Sequence, residues 1–214
     1  MRDLFEPDPF LSDAAGFEYA DLFLFGKGWA RGFEVLLQRN QGRLFGFVAY
    51  TLGKTERTFP TINTNNEGIA AGYPPKYDRL HDVNAVVSYD LGRRWEVSAI
   101  FSYATGQALT EPTARYHLYL TDLTIGEVET AVLVSPSLNN GRLPAYHRLD
   151  VGVRKGGRFF GIADYQLSLQ AINAYSRRNI WFIVYDVEED GRIDKTVVPQ
   201  IPIPLPNLSF TLTF

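Results

Sequence analysis

The sequence predicts an all-β chain, an antiparallel transmembrane β-barrel segment of about seven or eight spanning strands. Three observations carry this. Runs of about ten residues alternate apolar and polar side chains, which gives each strand one wet and one apolar face. The connections alternate between two or three residues and about 25 to 40, as short turns and long loops do at the two rims of a membrane barrel. No apolar run approaches the roughly 20 residues that a membrane helix needs, the longest being residues 180–185.

Composition agrees. There are 12 Tyr, 15 Phe and 18 Gly against a single Met, a balance that favours strands and tight turns. Net charge is −3 with both signs spread along the chain. No basic run points to nucleic acid and no acidic tail points to a solvating arm. The chain has no cysteine, which excludes disulfides, thiolate metal sites and cysteine nucleophiles.

The first strand is read over 29–39, with Phe33, Val35 and Leu37 on one face and Gly32, Glu34 and Gln38 on the other. A turn at Asn40-Gln41-Gly42 leads to 44–54, and a loop over 55–79 follows. Val83, Ala85, Val87, Tyr89 and Leu91 alternate with polar neighbours up to a turn at 92–94. Trp95, Val97, Ala99, Phe101 and Tyr103 carry the next strand, and the loop 107–145 comes after it. His147–Arg154 is expected to turn at Gly156-Gly157 into Tyr165, Leu167, Leu169 and Ala171. After a loop over 173–203 the chain closes on Leu208, Phe210, Leu212 and Phe214. Two loops are expected to carry hairpins of their own, 116–122 with 127–134 and 180–187 with 192–198 across Asp190-Gly191, a strong hairpin dipeptide. Residues 1–28 read as an extracellular loop or partial strand. If 17–25 were a strand hairpinned at Gly26-Lys27-Gly28, a small closed barrel would become possible.

Seven strands leave two open edges, which lipid does not tolerate. The expectation is therefore part of a larger barrel in a cell outer membrane. Residues 1–28 show neither the basic nor the apolar region of a secretion leader, consistent with a fragment on this reading.

Several segments also resemble one family, the TonB-dependent outer-membrane receptors. Residues 27–34, Lys-Gly-Trp-Ala-Arg-Gly-Phe-Glu, resemble its glycine-and-acid strand, and Tyr50-Thr51-Leu52 runs similarly into Glu56-Arg57 and Phe59-Pro60. Residues 77–82, Tyr-Asp-Arg-Leu-His-Asp, resemble its strand start and 103–106, Tyr-Ala-Thr-Gly, its strand exit. Residues 140–150, Asn-Gly-Arg-Leu-Pro-Ala-Tyr-His-Arg-Leu-Asp, are similar too, as are 173–179, where Ser176 departs from the usual Asn. These matches run through most of 27–214 in the family's order. The resemblance implies a roughly 22-stranded barrel with an N-terminal plug, importing scarce nutrients such as iron–siderophores, haem, cobalamin or glycans. Its partners would be outer-membrane lipid, the barrel assembly machinery, the plug and remaining strands of the parent barrel, and the TonB complex through that plug.

Candidate site residues follow from pattern and resemblance together. Phe214, with Leu212 and Phe210 before it, resembles the assembly signal of outer-membrane barrels. Asp78, Arg79, His81, Asp82, Arg148 and Asp150 read as a charged network at the lumen or rim. His81 and Asp82 face opposite ways on a strand and so make no ready chelate. Trp181, Phe182 and Tyr185 could stack a ligand or simply pack within their own hairpin. Trp95, Tyr103, Phe159, Phe160 and Phe214 suit interfacial girdles. Residues 186–194 have a passing likeness to a calcium loop but lack an acid at the twelfth position, Val197. No catalytic residue, metal site or cofactor is expected, and no enzyme.

Overall fold

The computed structural model describes residues 4–7, 23–122, 126–135, 137–188 and 191–214, with backbone alone over 116–132. It is all-β and antiparallel throughout, with no helix among the described residues. In chain order the strands are β1 (Leu4–Pro7), β2 (Phe23–Arg39), β3 (Leu44–Thr58), β4 (His81–Gly92), β5 (Trp95–Ala104), β6 (Ala108–Leu109) and β7 (Ala114–Asp122). Then come β8 (Gly126–Val134), β9 (Gly141–Arg142), β10 (Tyr146–Phe159), β11 (Ala163–Ile172), β12 (Ile180–Val187), β13 (Ile193–Pro199) and β14 (Leu205–Thr213). Eight of them form one sheet in the order β1-β2-β3-β4-β5-β10-β11-β14, while β6–β9, β7–β8 and β12–β13 make separate two-stranded pairs.

Each long strand pairs with the one before it, so the large sheet is an up-and-down meander. Its β1 and β14 ends do not meet, and the sheet is open among the described residues. Among the described residues β2 pairs with β3 alone beyond its first four residues, since β1 pairs only with 23–26.

Directly opposed residues share a face, and the register draws the two faces plainly. Leu44, Tyr89, Val97, Val153, Leu169 and Leu208 form one row across six strands. One residue along, the row on the other face reads Phe45, Ser88, Ser98, Gly152, Gln170 and Asn207. The apolar face is bare: Leu169 is 50% exposed and Leu208 68%. Neither small hairpin lies along the sheet. The buried apolar cluster sits instead in the loop after β3, where Phe59, Ile62 and Tyr73 pack with Leu4, Leu24 and Leu138.

Connections at one end of the sheet are short, at 40–43, 93–94 and 160–162, and those at the other end are long. Two expectations need correction. Gly156 and Gly157 are not a turn: they lie inside β10, paired with Gln166 and Tyr165. A Cβ on Gly157 would lie 2.3 Å from the Tyr165 ring, so the glycine leaves room for that ring to lie across its strand. The turn comes later, where Phe160 and Gly161 take φ of 48° and 75° and Ile162 N–H donates to the Phe159 carbonyl at 3.0 Å. Two consecutive positive φ values match the right-handed strand twist of a type I′ hairpin. Nor do Gly26 to Gly28 form a hairpin. They lie within the unbroken β2, and the rest of the expected strand over 17–22 is outside the described residues.

Both expected loop hairpins are present, as β7–β8 and β12–β13. The tip residues 123–125 and 189–190 lie outside the described residues. The flanks of the 186–194 segment are strands β12 and β13.

Candidate functional site

The long-loop end gathers the polar and aromatic residues singled out in the sequence, and it does so through local latches. Past β3 the chain turns back so that Tyr73 bridges Arg57 by paired backbone hydrogen bonds of 2.8 and 2.9 Å. The buried Tyr73 hydroxyl donates to Glu6 at 2.9 Å, and Glu6 also lies 3.5 Å from Arg57. Burial first, and the Glu6 carboxylate second, push the Tyr73 hydroxyl well above the ordinary tyrosine range.

Asp78 is 4% exposed. One carboxylate oxygen accepts the Thr55 N–H at 2.8 Å, and the other accepts Arg142 Nη2 at 2.5 Å. Arg142 Nη1 donates to the carbonyls of Asp78 and Gly106 at 3.2 and 3.1 Å. Asp78 thus ties the end of β3 to the 138–143 segment of the next long loop. That segment passes so close to Gly106 that a Cβ there would lie 1.5 Å from the Leu143 carbonyl oxygen.

The other charged candidates work separately. His81 Nδ1 lies 2.9 Å from the Tyr50 hydroxyl, on the apolar face. Asp82, on the polar face, accepts from Asn84 at 2.5 Å, and Asn84 accepts from Ser102 at 3.1 Å. The Arg79 guanidinium sits 5.9 Å from the Tyr146 ring centre. Arg148 pairs with Asp150 at 2.9 Å, and Asp150 accepts the Asn173 N–H at 2.8 Å. The six residues therefore form several separate arrangements along the long-loop end of the sheet.

Asn173 and Asn179, quoted in the sequence only as part of a motif, are the buried keystones of the last loop. The Asn173 side chain donates to the carbonyls of Arg177 and Ile201 and accepts the Arg177 N–H. Asn179 accepts the His147 N–H at 3.1 Å and donates to its carbonyl at 2.8 Å, standing in for a strand neighbour at the start of β10. An amide carries both donor and acceptor, so Asn can satisfy a backbone N–H and a carbonyl together where an ionised Asp, which only accepts, could not.

At the same end lies a cavity of about 720 Å³, walled on one side by β12 and on the other by 107–110 and Leu138, Asn139 and Leu143, with Glu6 and Lys76 also lining it. Trp181, Phe182 and Tyr185 all line it. Adjacent strand residues normally face opposite ways, but a register shift between Ile180 and Phe182 breaks the alternation. Such a bulge re-aims side chains, and Trp181 and Phe182 meet edge to face at 5.2 Å. Trp181 is 63% exposed. Aromatic walls with Gln107, Thr110 and Asn139 nearby suit a molecule with a planar or aliphatic body and a few polar groups.

Glu111 holds the hairpin to the loop, accepting from the Tyr185 hydroxyl and from Lys195 Nζ, each at 3.2 Å. Burial, then Glu111, raises the Tyr185 hydroxyl, while Lys195 is raised chiefly by its hydrogen bond to Glu111. Raised groups contribute stability that is complete below their ordinary values, 10.0 and 10.5, and lost as pH climbs through the higher folded ones. With Trp29 and Trp95 replaced by Phe, Trp181 emission is expected to stay flat below pH 10 and to report hairpin release above it. Glu111→Gln should weaken that alkaline transition, and an unchanged one would show that another contact holds the hairpin.

At the far end of the chain Phe214 is exposed beyond β14, while Phe210 stacks at 6.2 Å on Tyr165. Comparison with family models, with curated proteins and with solved structures finds no match to this chain.

Proposed function

We propose that this chain is the C-terminal barrel part of a TonB-dependent outer-membrane receptor, taking up a scarce nutrient such as an iron–siderophore, cobalamin or a glycan. The observation that carries the membrane half of this reading is the bare apolar face. It runs unbroken across the long strands and is bounded at both ends by tryptophan and cations. At the loop end Arg31 and Lys54 lie 5.0 and 5.4 Å from the Trp29 ring centre, and at the turn end Lys155 lies 4.8 Å from that of Trp95. Aromatic rings and long cationic side chains collect at both surfaces of a bilayer. From Trp29 to Arg39 the strand rises roughly 33 Å, and a tilt of about 40° sets the two flanking levels near 25 Å apart, with Phe33, Val35 and Leu37 as the apolar positions of β2 between them. In water such a face would need a second layer over it.

Two further observations support a larger, plugged barrel. An open edge in lipid leaves a row of N–H and C=O groups unpaired, and among the described residues β14 and the 29–39 stretch of β2 lie at the two edges of the sheet. The polar face also carries an apolar island, Leu36 beside Phe47, Val86 and Ile100. A water-filled lumen gives no reason for it, whereas a packed plug does. The cavity beside Trp181 would then take part in ligand capture, and Phe214 would be read by the assembly machinery. A small structural or adhesive barrel is the alternative. It gains from β1, which brings the sheet to eight strands, but β1 is four residues long and pairs only with 23–26 of β2.

Produced without detergent, the chain is expected to aggregate, and to become monodisperse only in detergent or lipid. A monodisperse monomer in water would overturn every membrane reading. If lipid is required, the reading frame upstream decides the rest. A plug-encoding segment supports the receptor, and a secretion leader directly before Met1 supports the small barrel.

A further inference from the structure

We propose that the short-turn end of the sheet is a docking surface for anionic phospholipid headgroups, an inference that rests on the membrane-spanning reading above. The three turn regions, 39–44, 90–96 and 154–164, hold seven Arg and Lys against three Asp and Glu, in a chain whose overall charge is −3. The carboxylates there are already engaged. Glu96 pairs with Arg154, Asp164 pairs with Arg94 at 3.3 Å, and Asp90 accepts the Gly92 N–H at 2.7 Å. Arg39, Arg43, Arg93, Lys155 and Arg158 have no carboxylate within ion-pairing distance among the described residues. All but Lys155 are exposed.

Their placement matters as much as their number. Arg39 and Lys155 continue the apolar face, in step with Leu37 and Val153, so their stems lie along it and their charges fall at its foot. Lys155 is held there by donating to the Arg93 carbonyl at 2.7 Å while it lies over Trp95. Arg93 projects from the neighbouring turn, and Arg158 lies near the end of β10, the strand of Lys155, on the other face of the sheet. At the tip of that third turn Phe160 and Ile162 are 84% and 74% exposed. Bare apolar side chains among unpaired cations match a surface that is apolar just below a layer of phosphates. An acidic protein would satisfy the cations but not Phe160 and Ile162. At the loop end Lys54 has Glu56 at 3.6 Å.

The test uses the full chain in phosphatidylcholine vesicles containing about 30% phosphatidylglycerol. Spin-labelled forms of each lipid report which one is held against the protein. Each cation near an anionic surface strengthens attraction about fivefold at most, and the belt is shared among many lipids. The expected preference for phosphatidylglycerol is therefore about threefold to tenfold, falling towards unity in about 1 M salt, where the Debye length is near 3 Å. The triple variant Arg39→Gln, Arg93→Gln, Arg158→Gln should lose most of the preference, and Lys54→Gln should keep it. Equal association of both lipids with the unsubstituted chain would overturn the proposal and leave the belt to an acidic soluble partner. A preference that survives the triple variant or high salt would overturn it as well. Failure to enter even pure phosphatidylcholine is a distinct result, which overturns the docking surface for this chain and leaves the membrane reading to the detergent experiment above.

Discussion

Val151→Arg is expected to destabilise the chain in a bilayer by about 2–4 kcal/mol, the cost of a cation near the midplane of a barrel's lipid face. Val151 lies midway along the apolar face, in the row Val87, Ala99, Val151 and Ala171, and its side chain is bare. It has no polar neighbour in that row, and Arg placed there would have to reach a rim several residues away. Gln170→Arg is the matched control. Gln170 lies one strand over and one residue out of step, in the polar row between Gly152 and Asn207. There the change should stay within about 0.5 kcal/mol. Urea unfolding in vesicles, followed by tryptophan emission, measures both. The sign is what discriminates. On a water-exposed sheet Val151→Arg would cost little and improve solubility, so equal and small effects for the two variants would turn the apolar face away from lipid.

That face was legible because period-two alternation is a local property: Leu167, Leu169 and Ala171 announce their side from five residues of sequence. The turn at 160–162 was not. Gly156-Gly157 looks like a turn by composition, yet the positive φ values fall on Phe160 and Gly161, and what Gly157 accommodates is a ring from the next strand. The same limit applies at the rim. Asp78 and Arg142 both stand in motifs noticed in the sequence, but 64 residues separate them, and nothing local says that two long loops meet there. Chain proximity therefore groups Asp78 with Arg79, His81 and Asp82, which the fold sends to other partners. The bulge at Ile180–Phe182 is equally silent, because it depends on how β13 is paired. The cation belt escaped for a related reason. Its members sit on three turns, none of which is a basic run by itself, and only the meander brings them to one edge.

Asp78→Ala is expected to cost about 3 kcal/mol, close to the lower bound for breaking a buried ion pair. The carboxylate is nearly fully buried, and its loss leaves the Thr55 N–H and one arm of Arg142 without their acceptor. An unsatisfied buried donor alone costs about 1–3 kcal/mol. Arg142 is partly exposed, so water recovers some of its share, which is why the figure sits low in the range. Asp78→Asn keeps an oxygen for Thr55 but gives up the charge, and an intermediate loss is expected. Asp82→Ala, four residues on, removes one short-range contact to Asn84 and should cost less than about 1 kcal/mol. Hydrogen exchange supplies a second readout that global stability does not. Arg142 also holds the Gly106 carbonyl, and Leu143 N–H donates to Gln107, so the amides of 105–107 and 141–143 should lose protection in Asp78→Ala while the centre of β5 keeps it. Matched losses in Asp78→Ala and Asp82→Ala would mean that the rim is held by its loops as a whole, and that the Asp78–Arg142 contact is only one among many.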